Sequence, residues 1–523
     1  MNHITNIHKH EDASSSISLV KTATVALLIL LVSCGGGGGD TTPPAIYSIS
    51  GTVTGAASSV TVTLSGDASA STTTDPSGDY VFTNIASGSY LVTPSLTFYT
   101  FSPLSMPVDV MGANVANTDF AATPLPAIYS ISGTVTGAAS SVTVTLGGDA
   151  SASTTTDASG NFSFTNRASG SYLVTPSLSG YIFSPPSTPI DLIGANVANT
   201  DFAAAAELYV TDYTNDAIHV YAKNASGDIA PVRSIEGPST GLYTPSSVKL
   251  DTVNNEIFVT NQQYDSINNV GYSITVYSGD ADGDATPIRT IAGAATGFGS
   301  GTDPSNPNGP SGIIVDNMND EIIVVDTNTN SIKFFARNAN GDVGPNRTIT
   351  GAATGLNRPF DLALYVANNT ANNEIVVSNF FNSSITTYLR LADGDIAPLR
   401  TIIGAATNLA GPLGIVVDQD EIIVANYVDE FPTTETRITT YPRLADVDIA
   451  PIRTIAGAAT GLYGPLLGIS LDTGNGELAV AVRGGTPSIN IFDKIDDGNQ
   501  PPKRTIVGPT TQLKNPWGVT VIP

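Results

Sequence analysis

One cysteine, one tryptophan and four histidines are all that 523 residues provide, and each scarcity excludes something. A lone thiol, Cys34, permits no intramolecular disulfide, so the folded parts must cohere by packing and hydrogen bonding alone. Positive charge is also scarce: 21 Lys and Arg face 46 Asp and Glu, for a formal charge of −25 and a pI near 4.2. Phosphate backbones are held by clustered Lys and Arg, which excludes nucleic acid as a partner. Charged residues of both signs reach only 13%, unlike a coiled coil or long-helix protein. What remains is Gly, Pro, Ser, Thr, Ala and Val, with 41% hydrophobic residues falling in short β-branched runs that can bury a core. The composition reads as all-β.

The N-terminus supplies an address. Residues 1–21 are polar and carry Lys9 and Lys21, and the apolar run Thr22–Val32 follows. That run is too short for a bilayer span, which takes ~20 residues, but suits a secretory signal. Leu31-Val32-Ser33-Cys34 resembles the lipobox of bacterial lipoproteins, which implies cleavage before Cys34 and lipidation of its thiol. Residues 1–33 then form the signal peptide, and 34–44, with Gly35–Gly39 and two Pro, form a tether. Gly35 after the Cys implies, by the same resemblance, the outer membrane, with the chain surface-exposed or facing the periplasm.

The segment starting at Ala45 (AIYSISGTVTGAASSVTVTL) returns almost verbatim at Ala127, the mark of a duplicated module. Both copies alternate apolar and polar residues at period two, as in Val60-Thr61-Val62-Thr63-Leu64, with Gly/Asp/Ser turns between. The reading is two tandem small β-sandwiches, 45–122 and 127–204. Ser132-Gly133-Thr134-Val135, Asp157-Ala158-Ser159-Gly160-Asn161-Phe162, Gly170-Ser171-Tyr172 and Gly180-Tyr181 resemble the carboxypeptidase regulatory-like (transthyretin-like) family, whose modules serve as spacers or adhesive domains.

From Glu207 a unit of roughly 50 residues recurs, with the frame Pro-x-Gly-Ile-x-Val-Asp, Glu-Ile-x-Val, Ser-Ile-x-x-Tyr, Gly-Asp and Pro-x-Arg-Thr-Ile. Each unit holds four strand-like runs. The chain enters with a second-strand sequence at Glu207 and ends with a first-strand sequence at Trp517–Val521. The expectation for 207–523 is therefore a six-bladed β-propeller closed by its C-terminal strand, which leaves no open sheet edge. The frame resembles NHL-repeat propellers.

A residue repeated in every blade answers a need that every blade has. The recurring Glu (207, 256, 321, 374, 421, 477) and Arg (233, 289, 347, 400, 453, 504) are accordingly read as inter-strand or inter-blade pairs. Five residues after each Glu stand Asp212, Asn261, Asp326, Asn379, Asn426 and then Val482. Two readings stay open for this column. The side chains bond local backbone at the following turn, or they ligate calcium, as the resemblance to gluconolactonase-type propellers implies. Asp280, Asp282, Asp284, Asp393 and Asp395 resemble calcium-loop fragments but are read as hairpin turns between third and fourth strands.

Catalytic inventories are nearly empty, so no catalytic residue is assigned and no cofactor beyond the calcium of the alternative reading. His219 alone survives removal of the signal peptide; it is read as an exposed strand position, matched by Thr275, Lys333, Thr386, Thr439 and Asn490. No nucleophile elbow, P-loop or dinucleotide fingerprint is present. Variation among blades is more informative. Long stretches at Gln262–Tyr272, Phe298–Gly309 and Tyr427–Thr436 fall on one face, where the innermost strands also open, and a stretch at Asn368–Asn373 falls on the other. The residues at that opening are Trp517, Ser246, Ser311, Phe360, Leu413 and Leu467, an expected lopsided pocket at the channel mouth. The combined reading is a lipid-anchored envelope protein that binds a protein or a glycan there; the alternative is a calcium-dependent propeller hydrolase.

Overall fold

A computed structural model describes residues 45–56, 59–138, 141–262, 271–298, 309–366, 373–427 and 436–522. Cys34, its tether and most of the long loop-bearing stretches lie outside the described residues. The chain divides into two compact units, Met1–Pro126 and Ala127–Pro523. No described helix is long and apolar enough to cross a membrane.

The first unit is one sandwich of two four-stranded sheets. Period-two alternation does what its pattern implies: along Asp79–Ile85, Tyr80, Phe82 and Ile85 turn inward while their neighbours face water. Ile49, Val62, Leu64, Tyr90 and Val92 complete its core. The second sandwich repeats this arrangement with Ile131, Val144, Phe162, Phe164 and Val174 inside. Its last strand does not stop at the expected boundary. Phe202–Asp212 pairs with Val135 at its start, with Tyr181–Ser184 in its middle, and with Ala217–Ala222 from Glu207 onward. Sandwich and propeller thus share a strand, with no linker between them.

Five four-stranded sheets follow in chain order, with innermost strands Pro245–Asp251, Pro310–Asp316, Pro359–Tyr365, Pro412–Asp418 and Leu466–Asp472 (blades 2 to 6). Blade 1 is composite: Pro516–Val521 pairs antiparallel with the strand holding Glu207, placing Leu208 opposite Val521 and Val210 opposite Val519. The chain ends therefore close a β-propeller. Successive sheets pack face to face through apolar clusters such as Ile323, Phe334, Leu362 and Val377 between blades 3 and 4.

The repeated Glu and Arg meet in every blade, at 2.6–2.8 Å, from Arg233–Glu207 to Arg504–Glu477. Each pair ties the second strand to the fourth across the third. Cations from the next blade add to several of them: Arg337 to Glu256, Arg390 to Glu321 and Arg443 to Glu374. The Asp residues of the Gly-Asp turns also reach across seams rather than serving their own hairpin alone. Asp282 and Asp284 accept the Ser234 and Ser239 backbone N–H groups, and Asp393 and Asp395 accept those of Thr348 and Ala353. That accounts for the recurrence of Gly-Asp without invoking a metal.

Candidate functional site

All six residues expected at the channel mouth lie at the same end of their innermost strands, but they divide into two kinds. Ser246 and Ser311 are buried, and their hydroxyls join neighbouring blades: Ser246 Oγ donates to the Ser311 carbonyl at 3.3 Å, and Ser311 Oγ to the Phe360 carbonyl at 2.5 Å. They line the small throat of the channel together with Phe360, Leu467 and Trp517, and not the larger cavity at its mouth. Phe360, Leu413, Leu467 and Trp517 instead share a cavity of about 240 Å³. Leu466 takes the strand position that Pro holds in the sister blades, pairing with Val482, which puts Leu467 in register with the other mouth residues.

Trp517 is not a loose anchor. Its ring stacks on Tyr213 with centroids 4.6 Å apart and 18° between planes, and on Phe360 at 6.3 Å and 24°. Its indole N–H is buried and has no hydrogen-bond partner among the described residues. The Arg483 guanidinium lies 5.6 Å from the Trp517 ring and 6.0 Å from that of Tyr213, a cation–π arrangement. The Gly after Trp517 is required by close approach, since a Cβ on Gly518 would fall 2.3 Å from the Ser246 carbonyl oxygen.

The remaining walls come from a column the sequence reading passed over. Immediately after the Asx column stand Tyr213, Gln262, Thr327, Phe380, Tyr427 and Arg483, of which the last four line the cavity. The signal was available: neighbouring columns repeat, whereas this one changes character in almost every blade. Arg358 joins them, its guanidinium 5.9 Å from the Phe380 ring, and holds φ at +49° where blade 5 uses Gly411 at +52°. Such a conformation costs a side-chain-bearing residue about 1 kcal/mol or more.

The Asx column is not gathered into a site; its members stand one to a blade. Asn261, Asn379 and Asn426 each accept a backbone N–H from the preceding inter-blade link, from Tyr243, Asn357 and Ala410, and donate to the third-strand hydroxyls of Thr275, Thr386 and Thr439. Asp212 accepts the Thr214, Lys514 and Asn515 N–H groups, and Asp326 is paired with Lys333 at 2.7 Å. These oxygens are already engaged, so the column does not fit the oxygen cage that calcium needs. Among the described residues no three His, Cys, Asp or Glu side chains gather for a metal.

His219 corrects an expectation. It is fully buried rather than exposed, with Nδ1 2.9 Å from Ser234 Oγ. The third strand of a blade is covered on both faces by neighbouring blades, so its whole column, from Thr275 to Asn490, is buried too. Burial pushes the imidazolium below its ordinary value, with Asp212 opposing.

Beneath the aromatic cluster lies a throat cavity of about 20 Å³, lined in part by Ser247 and Asp361. Asp361 went unnoticed in the sequence, although it stands where the frame calls for Gly. Burial pushes its carboxyl up to about 6, against the pull of Lys249 and of the Leu362 and Ile415 N–H groups.

Comparison with known proteins adds fold information. Residues 46–122 match the family model of the second β-sandwich domain of BOS complex subunit NOMO1-like proteins. No curated protein matches. Among solved structures, a candidate 6-phosphogluconolactonase from Bacteroides fragilis is 15% identical over 73% of this chain and 98% of its own, with a TM-score of 0.40. The WD40 β-propeller domain of Doa1 is 12% identical over 57% and 79%, with a TM-score of 0.36. The Bacillus anthracis TIE protein is 12% identical over 32% of this chain, which spans only 40% of that protein, with a TM-score of 0.18. At such values nothing about activity follows; the chain is an all-β protein of β-sandwiches and a β-propeller.

Proposed function

We propose that the protein is a lipid-anchored envelope binding module of the bacterial outer membrane, with the NHL-like propeller presenting the mouth cavity to a protein or glycan ligand. The observation that supports this reading is the cavity itself, in which Trp517, Phe360, Phe380 and Tyr427 converge beside Arg358 and Arg483 on the face where variable loops and links emerge. Aromatic and Arg side chains around a concavity are the usual anchors of recognition. Nothing in the geometry asks for chemistry at this place, and no observation favours the calcium hydrolase. The acyl group on Cys34 and the Gly/Pro tether would hold the two sandwiches and the propeller to the membrane.

Binding to fractionated envelope polysaccharides and envelope proteins tests the reading. Wild-type protein should retain one fraction that a Phe380→Ala, Arg483→Ala variant loses by roughly tenfold or more. Equal retention by both would refute the mouth as the site.

A further inference from the structure

Positive charge is scarce in this chain, at 21 Lys and Arg against 46 Asp and Glu, so where it stands is informative. The Arg residues of the repeated column are consumed by Glu within their blades. Arg483 is not: it pairs with no carboxylate among the described residues, and its guanidinium lies over the Trp517 and Tyr213 rings. In its column the sister blades carry only uncharged side chains, from Tyr213 to Tyr427. Arg358 likewise stands where the sister blades carry Thr244, Gly309, Gly411, Pro465 and Asn515. These two departures from the frame put both cations into one cavity.

That cavity is one-sided in its hydrogen bonding. No Asp, Glu, Asn, Gln or His lines it, and the Thr327 hydroxyl is taken, donating to the Pro359 carbonyl at 2.8 Å. Its side chains therefore offer strong donors and neither a carboxylate nor an amide to accept. A neutral glycan brings many hydroxyl donors that would find no such partner. A polyanionic glycan carries charge along its whole length and meets the field of a chain with net charge −25. A single carboxylate on an apolar body suits the place better, since guanidinium forks match its two oxygens and Phe360, Leu413 and Leu467 provide an apolar floor.

The throat beneath has room for only about one water, so such a body enters end-on. The cavity, about 240 Å³, is smaller than the pockets of roughly 300 Å³ and above that enclose whole small ligands. It suits the end of a chain, and the rim offers more. Phe381 and Tyr463, close in sequence to the lining residues Phe380 and Pro465, are 68% and 51% exposed.

We propose that the mouth takes the C-terminus of a polypeptide. Arg358 and Arg483 hold the terminal carboxylate, and an aliphatic or aromatic last side chain rests on the apolar floor. The residues before it are neutral or basic and lie over Phe381 and Tyr463. This deepens the binding reading above and rests on it.

Two libraries of random octapeptides test it, one ending in a free carboxylate and one in an amide, which removes the charge. Each is passed over the immobilised full chain, and retained peptides are sequenced by mass spectrometry. The free-acid library should be retained roughly tenfold or more above the amide, enriched in aliphatic and aromatic last residues. Arg483→Gln should erase that preference. Phenylpropionate in equal amount should displace little of the retained peptide; complete displacement would make a free acid the ligand and overturn the proposal. Equal retention of acid and amide overturns it too. If the Phe380→Ala, Arg483→Ala variant then still loses an envelope fraction, the mouth stands and the carboxylate alone falls. Should that variant lose no fraction either, the binding reading falls with it.

Discussion

Trp517 illustrates how far a single residue could be read. Its place at the mouth followed from register, but the rings it packs against did not. Stacked between Tyr213 and Phe360, it is part of the packing as well. Trp517→Ala should therefore cost about 3 kcal/mol in a denaturant melt, while Trp517→Phe keeps most of that stability. The buried titratable residues were less legible, because alternation predicts sides of a strand and not what the next blade lays over them. Two of them give opposite pH dependences. His219 has a folded value below its unfolded value, near 6.5, so its contribution is complete above about pH 6.5 and is lost as pH falls. Asp361 has its folded value raised from 3.8 to about 6, so the stability it takes away is absent below pH 4 and fully felt above pH 6. Asp361→Asn should raise stability by about 2 kcal/mol at pH 7 and by little at pH 4, measured as urea midpoints at both pH values. An equal change at both would show that the carboxylate is not desolvated.

Blades were legible as elements because their frame recurs, and the Glu–Arg column announced a structural pair. The second cation was not, since Lys223, Arg337, Arg390, Arg443 and Lys494 sit in turns whose reach across a seam only the packed sheets reveal. Arg390 is the most enclosed of them, 2% exposed, bridging Asp316 at 2.5 Å and Glu321 at 2.7 Å. Arg390→Ala leaves the buried Asp316 without its cation and Glu321 with Arg347 alone, and should cost ~3–5 kcal/mol. Lys494→Ala, in a more exposed pair, should cost under about 1 kcal/mol. Chemical denaturation of both variants checks the ranking; equal losses would mean that seam burial does not matter. The continuous strand Phe202–Asp212 is the element that the sequence hid most completely. Its Ala203–Ala206 stretch is compositionally a linker, yet it pairs with Tyr181–Ser184.

At the scale of the molecule, the all-β class and the closure by the last strand were readable from composition and from the two ends of the repeat. The cavity was only half readable, because its inner ring obeys a frame and its outer ring does not. The anchor belongs to this scale also: labelled palmitate should mark wild-type protein and not Cys34→Ala, since the chain has no other thiol to acylate. The account rests most heavily on the mouth being where ligand is held. Trp517 is the chain's only tryptophan, so its emission reports on that cavity alone. Titration with the envelope fraction that the protein retains should give a saturable change in Trp517 emission, abolished by Arg483→Ala, whose exposed side chain can be removed without disturbing the fold. Retention of that fraction with Trp517 emission unchanged would contradict the account.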